Sequence, residues 1–180
     1  MGAVDRERWD ARFAGLGAGE AGPPGVLVGR EDLVPTSGRA LDLACGRGTV
    51  AAWLARRGLA VDAVDVSPVG LAAGRELAPD VRWIEADLDD GLPVRGPYDV
   101  VVCQRFRDPA LYPALVELLV PGGLLVISVL SGSGDTGGPF RAPPGELLAA
   151  FGHLDVRHHE EGHGEESLLA VRGVGGARGF

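Results

Sequence analysis

The stretch Leu41-Asp42-Leu43-Ala44-Cys45-Gly46-Arg47-Gly48-Thr49 joins two kinds of hydrophobic periodicity. The apolar run from Arg39 to Ala44 ends in it, and Val50, Trp53 and Leu54 then repeat at helical spacing up to Gly58. Strand, glycine turn and helix follow in that order. Leu59 to Val66 reads as the next strand. Ser67-Pro68 supplies an N-cap followed by a proline at the first helical position, opening a helix to about Ala78. Val81 to Glu85 is a third strand and Asp99 to Cys103 a fourth. The fourth is rich in valine, as expected of a strand covered on both faces. Asp108-Pro109 predicts a helix carrying Leu111, Leu115, Leu118 and Leu119 on one stripe. Pro121-Gly122-Gly123 then turns the chain into a fifth strand, Leu124 to Leu130.

This alternation means βαβ units and a parallel sheet. The rhythm changes after a Gly/Ser/Pro loop, Ser131 to Pro144, and a short helix, Glu146 to Phe151. The strands His153 to Glu160 and Ser167 to Arg172 are joined by a short turn, so they pair antiparallel. The expected fold class is α/β: a three-layer sandwich around a Rossmann-like, seven-stranded, mostly parallel sheet that closes on a C-terminal antiparallel hairpin. Upstream, Trp9, Phe13 and Leu16 lie on one face of an amphipathic helix, Val4 to Leu16, followed by a Gly/Pro-rich covering segment to Ser37. One domain over 1–180 is predicted, with 1–38 as helix and covering segment and 39–173 as core.

The 180 residues are 46% hydrophobic, enough for one sizeable core. No apolar run approaches the roughly 20 residues that cross a bilayer, and the N-terminal residues Asp5 to Arg8 lack a signal-peptide segment, which predicts a cytoplasmic protein with no membrane partner. Net charge is −8, and every basic residue is arginine with no basic stripe, so nucleic acid is not an expected partner. Cys45 and Cys103 at predicted strand ends read as reduced thiols.

Glycines at the end of the first strand let backbone approach a ligand closely, and the following helix N-terminus favours an anionic group. Gly46, Gly48 and Ala51 also satisfy dinucleotide-binding spacing, so a nicotinamide-dependent oxidoreductase stands as an alternative. Asp65, at the end of the second strand and about 20 residues on, can accept hydrogen bonds from both ribose hydroxyls of an adenosine in either reading. Asp87, after the third strand, can receive an adenine amino group.

From Leu41 to Asp65, at Asp87 and at Pro121-Gly122-Gly123, the chain resembles the class I S-adenosylmethionine (SAM)-dependent methyltransferases. The terminal antiparallel pair is that family's usual ending. Asp42, where a nicotinamide fold usually has an apolar residue, is placed to help hold the amino end of methionine. The resemblance implies SAM as cofactor, bound by Asp42, Ala44, Gly46, Gly48, Asp65, Val66, Asp87, Leu88 and Cys103. Trp9-Asp10-Ala11-Arg12-Phe13, Gly145-Glu146-Leu147 and Glu160-Glu161 are similar to the branch of tellurite-resistance-type methyltransferases. The expected acceptor is a small molecule with a thiol, chalcogen, amine or acidic hydroxyl, met by Trp9, Phe13, Gln104, Arg105, Arg107 and Arg141. A non-catalytic SAM-binding subunit is the further alternative.

After the fourth strand the chain has Cys103-Gln104-Arg105-Phe106, not the Asp/Asn-Pro-Pro-aromatic motif of enzymes that methylate amino groups of bases or glutamine. No residue is assigned as a catalytic base. Arg105, Arg107 and Arg141 are expected to form a positive mouth, or else to pair with carboxylates such as Asp108, Asp135 or Glu146. His158, His159 and His163 beside Glu160, Glu161, Glu165 and Glu166 match no zinc spacing. Adjacent His158 and His159 would point to opposite faces, so no metal site is expected.

Overall fold

The computed structural model describes residues 3–17, 19–132 and 141–174. Five helices, α1 (Ala3–Ala14), α2 (Thr49–Arg56), α3 (Pro68–Leu77), α4 (Tyr112–Glu117) and α5 (Glu146–Phe151), surround seven strands. The strands are β1 (Arg39–Leu43), β2 (Ala60–Asp65), β3 (Arg82–Glu85), β4 (Tyr98–Gln104), β5 (Leu119–Leu130), β6 (Asp155–Gly162) and β7 (Glu165–Val171). Their order in one sheet is β3-β2-β1-β4-β5-β7-β6. The first five are parallel, and β7 inserts antiparallel between β5 and β6. This is the expected sandwich with its closing hairpin.

Alternating side chains on the strands feed two cores. Leu41, Leu43, Val101, Leu125 and Ile127 meet Tyr112, Leu115, Leu147 and Phe151 of α4 and α5 on one face. Ala40, Val61, Val100 and Val126 meet Ala51 and Leu54 of α2 and Val26, Leu27 and Val34 of the covering segment on the other. That segment is held by two short 3₁₀ turns, Gly25–Leu27 and Glu31–Leu33.

Two predicted elements shift. The Asp108-Pro109 helix begins later: Asp108 Oδ1 accepts from the Ala110 amide at 3.0 Å in a local turn, and α4 opens with Pro113 in its first turn. Proline is accommodated in that turn and not deeper, so the second proline sets the start. Leu119 consequently leaves the helix stripe and becomes the buried first residue of β5. Pro121-Gly122-Gly123 lies inside β5, opposite a register shift between Tyr98 and Val100, and behaves as a bulge. Loop residues 133–140, with Asp135 among them, lie outside the described residues.

Candidate functional site

Strand order reverses between β1 and β4, which opens a crevice at their carboxyl ends. The chain turns sharply at both ends: Ala44, just after β1, has φ 53° and Arg105, just after β4, has φ 55°. Such left-handed conformations cost a non-glycine residue on the order of 1–3 kcal/mol and concentrate at functional sites. His163 (φ 53°) is the third positive-φ residue besides glycine among the described residues. All three line two adjoining cavities, of about 270 and 560 Å³, which share Gln104 and Arg105.

The smaller cavity is walled by Ala44, Gly46, Asp65 and Val66 below and by Trp9, Phe13 and Leu16 of the N-terminal segment above. Asp65 organises its floor. One carboxylate oxygen accepts from the Gly46 amide at 2.8 Å, the other from the Ser67 amide at 2.9 Å. A carboxylate has about four acceptor positions, so one per oxygen remains for a vicinal diol such as ribose. Burial raises the Asp65 carboxyl above its ordinary range, the amides of Ser67, Gly46 and Val66 oppose this, and Asp10 adds to the rise. Gly46 has φ 55°, and a Cβ there would meet the Phe13 ring at 3.2 Å. The donor set therefore fits an adenosine-bearing cofactor.

Helix α1 is fixed over this floor. Ser67 Oγ donates to Asp10 Oδ1, and Ser67 Oγ in turn accepts from the Gly70 amide at 3.1 Å, capping α3. Trp9 and Phe13 stack with ring centroids 5.5 Å apart. Arg47 Nη1 donates to the carbonyls of Leu16 and Gly17, each at 2.7 Å, tying the end of α1 to the glycine loop. Asp10 and Arg47, together with Arg12 and Phe106 on the wall of the smaller cavity, are residues that the sequence reading did not select. Arg47 sat inside the quoted motif, but nothing in a spacer position announces where its side chain will reach. Ser128 was also missed, although it is the single polar residue in the apolar run of β5. Buried, it donates to Gln104 Oε1 at 3.2 Å and accepts from the Arg105 amide at 3.2 Å.

Other predicted residues lie beside the cavity and not on it. Asp42 is 2% exposed behind the loop, with Oδ2 lacking any hydrogen-bond partner among the described residues and the carboxyl pushed up to about 8 by burial. Gly48, with φ 69°, packs against Trp83, whose Cη2 would lie 2.1 Å from an added Cβ; its freedom serves helix packing, not ligand approach. Asp87 accepts from the Asp89 amide at 3.0 Å and opens a 3₁₀ turn whose Leu88 enters the core, next along the sheet edge from Asp65. Cys103 is buried, with its thiol on the Phe106 carbonyl at 3.9 Å and burial pushing its pKa up to about 12. Cys45 is half-buried just past β1, and both thiols are free.

The positive mouth does not form. Arg107 makes a bidentate pair with Glu146, its closest contact 2.6 Å, where Tyr112 also donates at 2.8 Å. These bonds lower the Glu146 carboxyl even though desolvation opposes them. Arg141 donates to the Ser131 carbonyl at 2.9 Å, off both cavities. Of these three arginines only Arg105 lines the cavities, and it pairs with Glu165 at 2.8 Å. His158 and His159 do diverge: His159 Nε2 meets Glu166 Oε1 at 3.0 Å and His158 turns toward Glu160.

Residues 40–123 match a family described as a methyltransferase domain, a stretch that contains β1, the glycine loop, Asp65 and Asp87. Over this stretch the chain is similar to methyltransferase domains. Its relatives include the ubiquinone biosynthesis O-methyltransferase of Xylella fastidiosa, 36% identical over 112 residues, which are 54% of this chain and 44% of that protein. The chain thus spans less than half the length of this curated relative. Among solved structures, TehB from Haemophilus influenzae superposes with TM-score 0.73 at 19% identity, over 83% of this chain and 62% of TehB. Magnesium protoporphyrin IX methyltransferase from Synechocystis, solved with bound SAM, superposes with TM-score 0.62 at 18% identity, over 93% and 79% of the two chains.

Proposed function

We propose that the protein transfers the methyl group of SAM to a small-molecule acceptor. The observation that carries this reading is Asp65 on the wall of the smaller cavity, braced by the Gly46 and Ser67 amides and with acceptor capacity left for a ribose diol. In this reading Ala44, Gly46, Asp65 and Val66 hold the ribose and methionine portions, and Asp87 and Leu88 mark the adenine end of the edge. Asp42 supports the loop from beneath, and Trp9 and Phe13 cover the site. Gln104 and Arg105, common to both cavities, stand where donor and acceptor meet.

SAM brings an activated methyl group, so the protein's work is to bind, orient and exclude water. Proximity and orientation lower a barrier by about 7–11 kcal/mol, whereas a general base contributes about 10²- to 10⁴-fold. A site without an assigned base is therefore competent toward acceptors that are already nucleophilic. Calorimetric titration with SAM and with NADH tests the cofactor. A product screen with methyl-labelled SAM against thiols, amines, phenols and reduced chalcogens tests transfer. Binding of NADH in preference to SAM, or SAM binding with no labelled product from any acceptor, refutes the reading.

A further inference from the structure

The larger cavity, about 560 Å³, adjoins the smaller one across Gln104 and Arg105. Its remaining walls come from segments remote in sequence: Val26 of the covering segment, Val50 in the first turn of α2, and Glu160, His163 and Glu165 of the β6–β7 hairpin. A molecule held there lies across the end of β4 from Asp65. The hairpin turn has both central residues in the left-handed region, His163 at φ 53° and Gly164 at φ 79°. Asn-Gly is the usual choice for that geometry, so an imidazole here is a strained residue set on a cavity wall.

The charge of this cavity is the reverse of the positive mouth expected from Arg105, Arg107 and Arg141. Arg105 Nε donates to Glu165 Oε2 at 2.8 Å, which balances the one guanidinium on the wall. Glu165 is only 25% exposed at its side chain, and its second oxygen takes no donor among the described residues. Glu160 adds another carboxylate to the same wall. We propose that this cavity is the acceptor site and that Glu165, held in place by Arg105, selects acceptors bearing an ammonium group over those bearing a carboxylate.

This rests on the methyl-transfer reading. In the step itself the sulfur–methyl bond of SAM breaks, its electron pair returns to sulfur, and a bond forms between the methyl carbon and the acceptor heteroatom. The acceptor's proton leaves to water through the open mouth of the cavity. The test uses two matched pairs of acceptors that share a nucleophile and differ in tail charge: tyramine against 3-(4-hydroxyphenyl)propionate, and cysteamine against 3-mercaptopropionate. Methyl transfer from labelled SAM is expected to favour the amine of each pair by at least about tenfold in kcat/KM. Glu165→Gln is expected to erase or invert that ratio, because it leaves Arg105 unbalanced, while SAM affinity by calorimetry stays unchanged. Equal turnover within the pairs, a preference for the carboxylates, an unchanged ratio in Glu165→Gln, or no turnover of any of the four by SAM-bound protein overturns the proposal. Failure to bind SAM removes the methyl-transfer reading, and this one with it.

Discussion

Replacing Asp42 with Asn should make the protein more stable, and by an amount that depends on pH. Asp42 is wholly enclosed in β1, its Oδ2 has no donor among the described residues, and burial pushes its carboxyl up to about 8 from an ordinary 3.8, with the Ala51 amide opposing and Asp65 adding repulsion. Below pH 4 the group is protonated in folded and unfolded chains alike and contributes nothing to the difference. Between about pH 4 and 8 the unfolded chain ionises while the folded one holds its proton, so the native state binds more protons and stability falls as pH rises. Above 8 the whole penalty is present. A displacement this large corresponds to on the order of 5 kcal/mol, an upper figure because water entry and local relaxation relieve a buried charge. Asn keeps the shape and the oxygen facing Ala51 but cannot ionise. Urea unfolding of both proteins from pH 4.5 to 8.5 should give free energies that converge at the acid end and separate by a few kcal/mol in favour of Asp42→Asn at the alkaline end. Groups common to both proteins cancel in the difference. A gap that is constant across the range would mean that Asp42 ionises normally in the folded protein and that its isolation has been misjudged.

SAM carries net positive charge and should favour the ionised form of Asp42, so binding near pH 7 releases protons; calorimetric heats that are identical in two buffers of different ionisation enthalpy would contradict this. Asp65→Ala should weaken SAM by at least about tenfold, and because the same carboxylate braces the Gly46 and Ser67 amides it should also cost about 1–3 kcal/mol of stability. An unchanged dissociation constant removes Asp65 from the site. Gly48→Ala combines a left-handed backbone with a collision against Trp83 and should lose on the order of 2–4 kcal/mol, read as a fall in Tm that a simultaneous Trp83→Leu change partly restores. Arg107→Gln breaks the pair with Glu146 and should lower Tm without altering selectivity between amine and carboxylate acceptors; a shift in that selectivity would return Arg107 to the cavity.

The fold was legible because its signals are local and repeated. A short apolar run, a glycine turn and a helical stripe identify each βα unit wherever they fall, and Ser67-Pro68 placed the start of α3 through an N-cap bond that the structure contains, Gly70 amide to Ser67 Oγ at 3.1 Å. Where two local signals competed, the pattern misplaced the boundary. Asp108-Pro109 and Pro113 both announce a helix start, and only packing of Tyr112 and Leu115 into the core decides between them. Pro121-Gly122-Gly123 announces a turn, yet β5 runs through it, because the partner strand β4 supplies a register shift opposite that absorbs the extra residues.

The site was legible where its chemistry comes from backbone placed by that topology. Ala44, Gly46, Asp65 and Val66 share one cavity because they end two adjacent parallel strands, which sequence spacing alone determines. Long side chains are another matter. Arg105, Arg107 and Arg141 follow strand ends just as predicted, but a guanidinium is anchored by whichever carboxylate or carbonyl the fold brings within its reach. Those partners, Glu165, Glu146 and the Ser131 carbonyl, sit about 10 to 60 residues away in sequence. Of these three, only Glu146 is an arginine partner that the sequence offers by itself. The N-terminal helix shows the same limit from the other side. Its apolar face, Trp9 and Phe13, was readable from spacing, but the contact that fixes it over the site is made by Asp10 on the N-terminus of α3, a pairing that exists only once β2 has delivered Ser67 there. Electrostatic roles in this protein therefore follow from three-dimensional neighbours, and the acidic balance of the larger cavity, with Glu160 and Glu165 against Arg105, emerges only when the terminal hairpin is folded back beside β4 and β5.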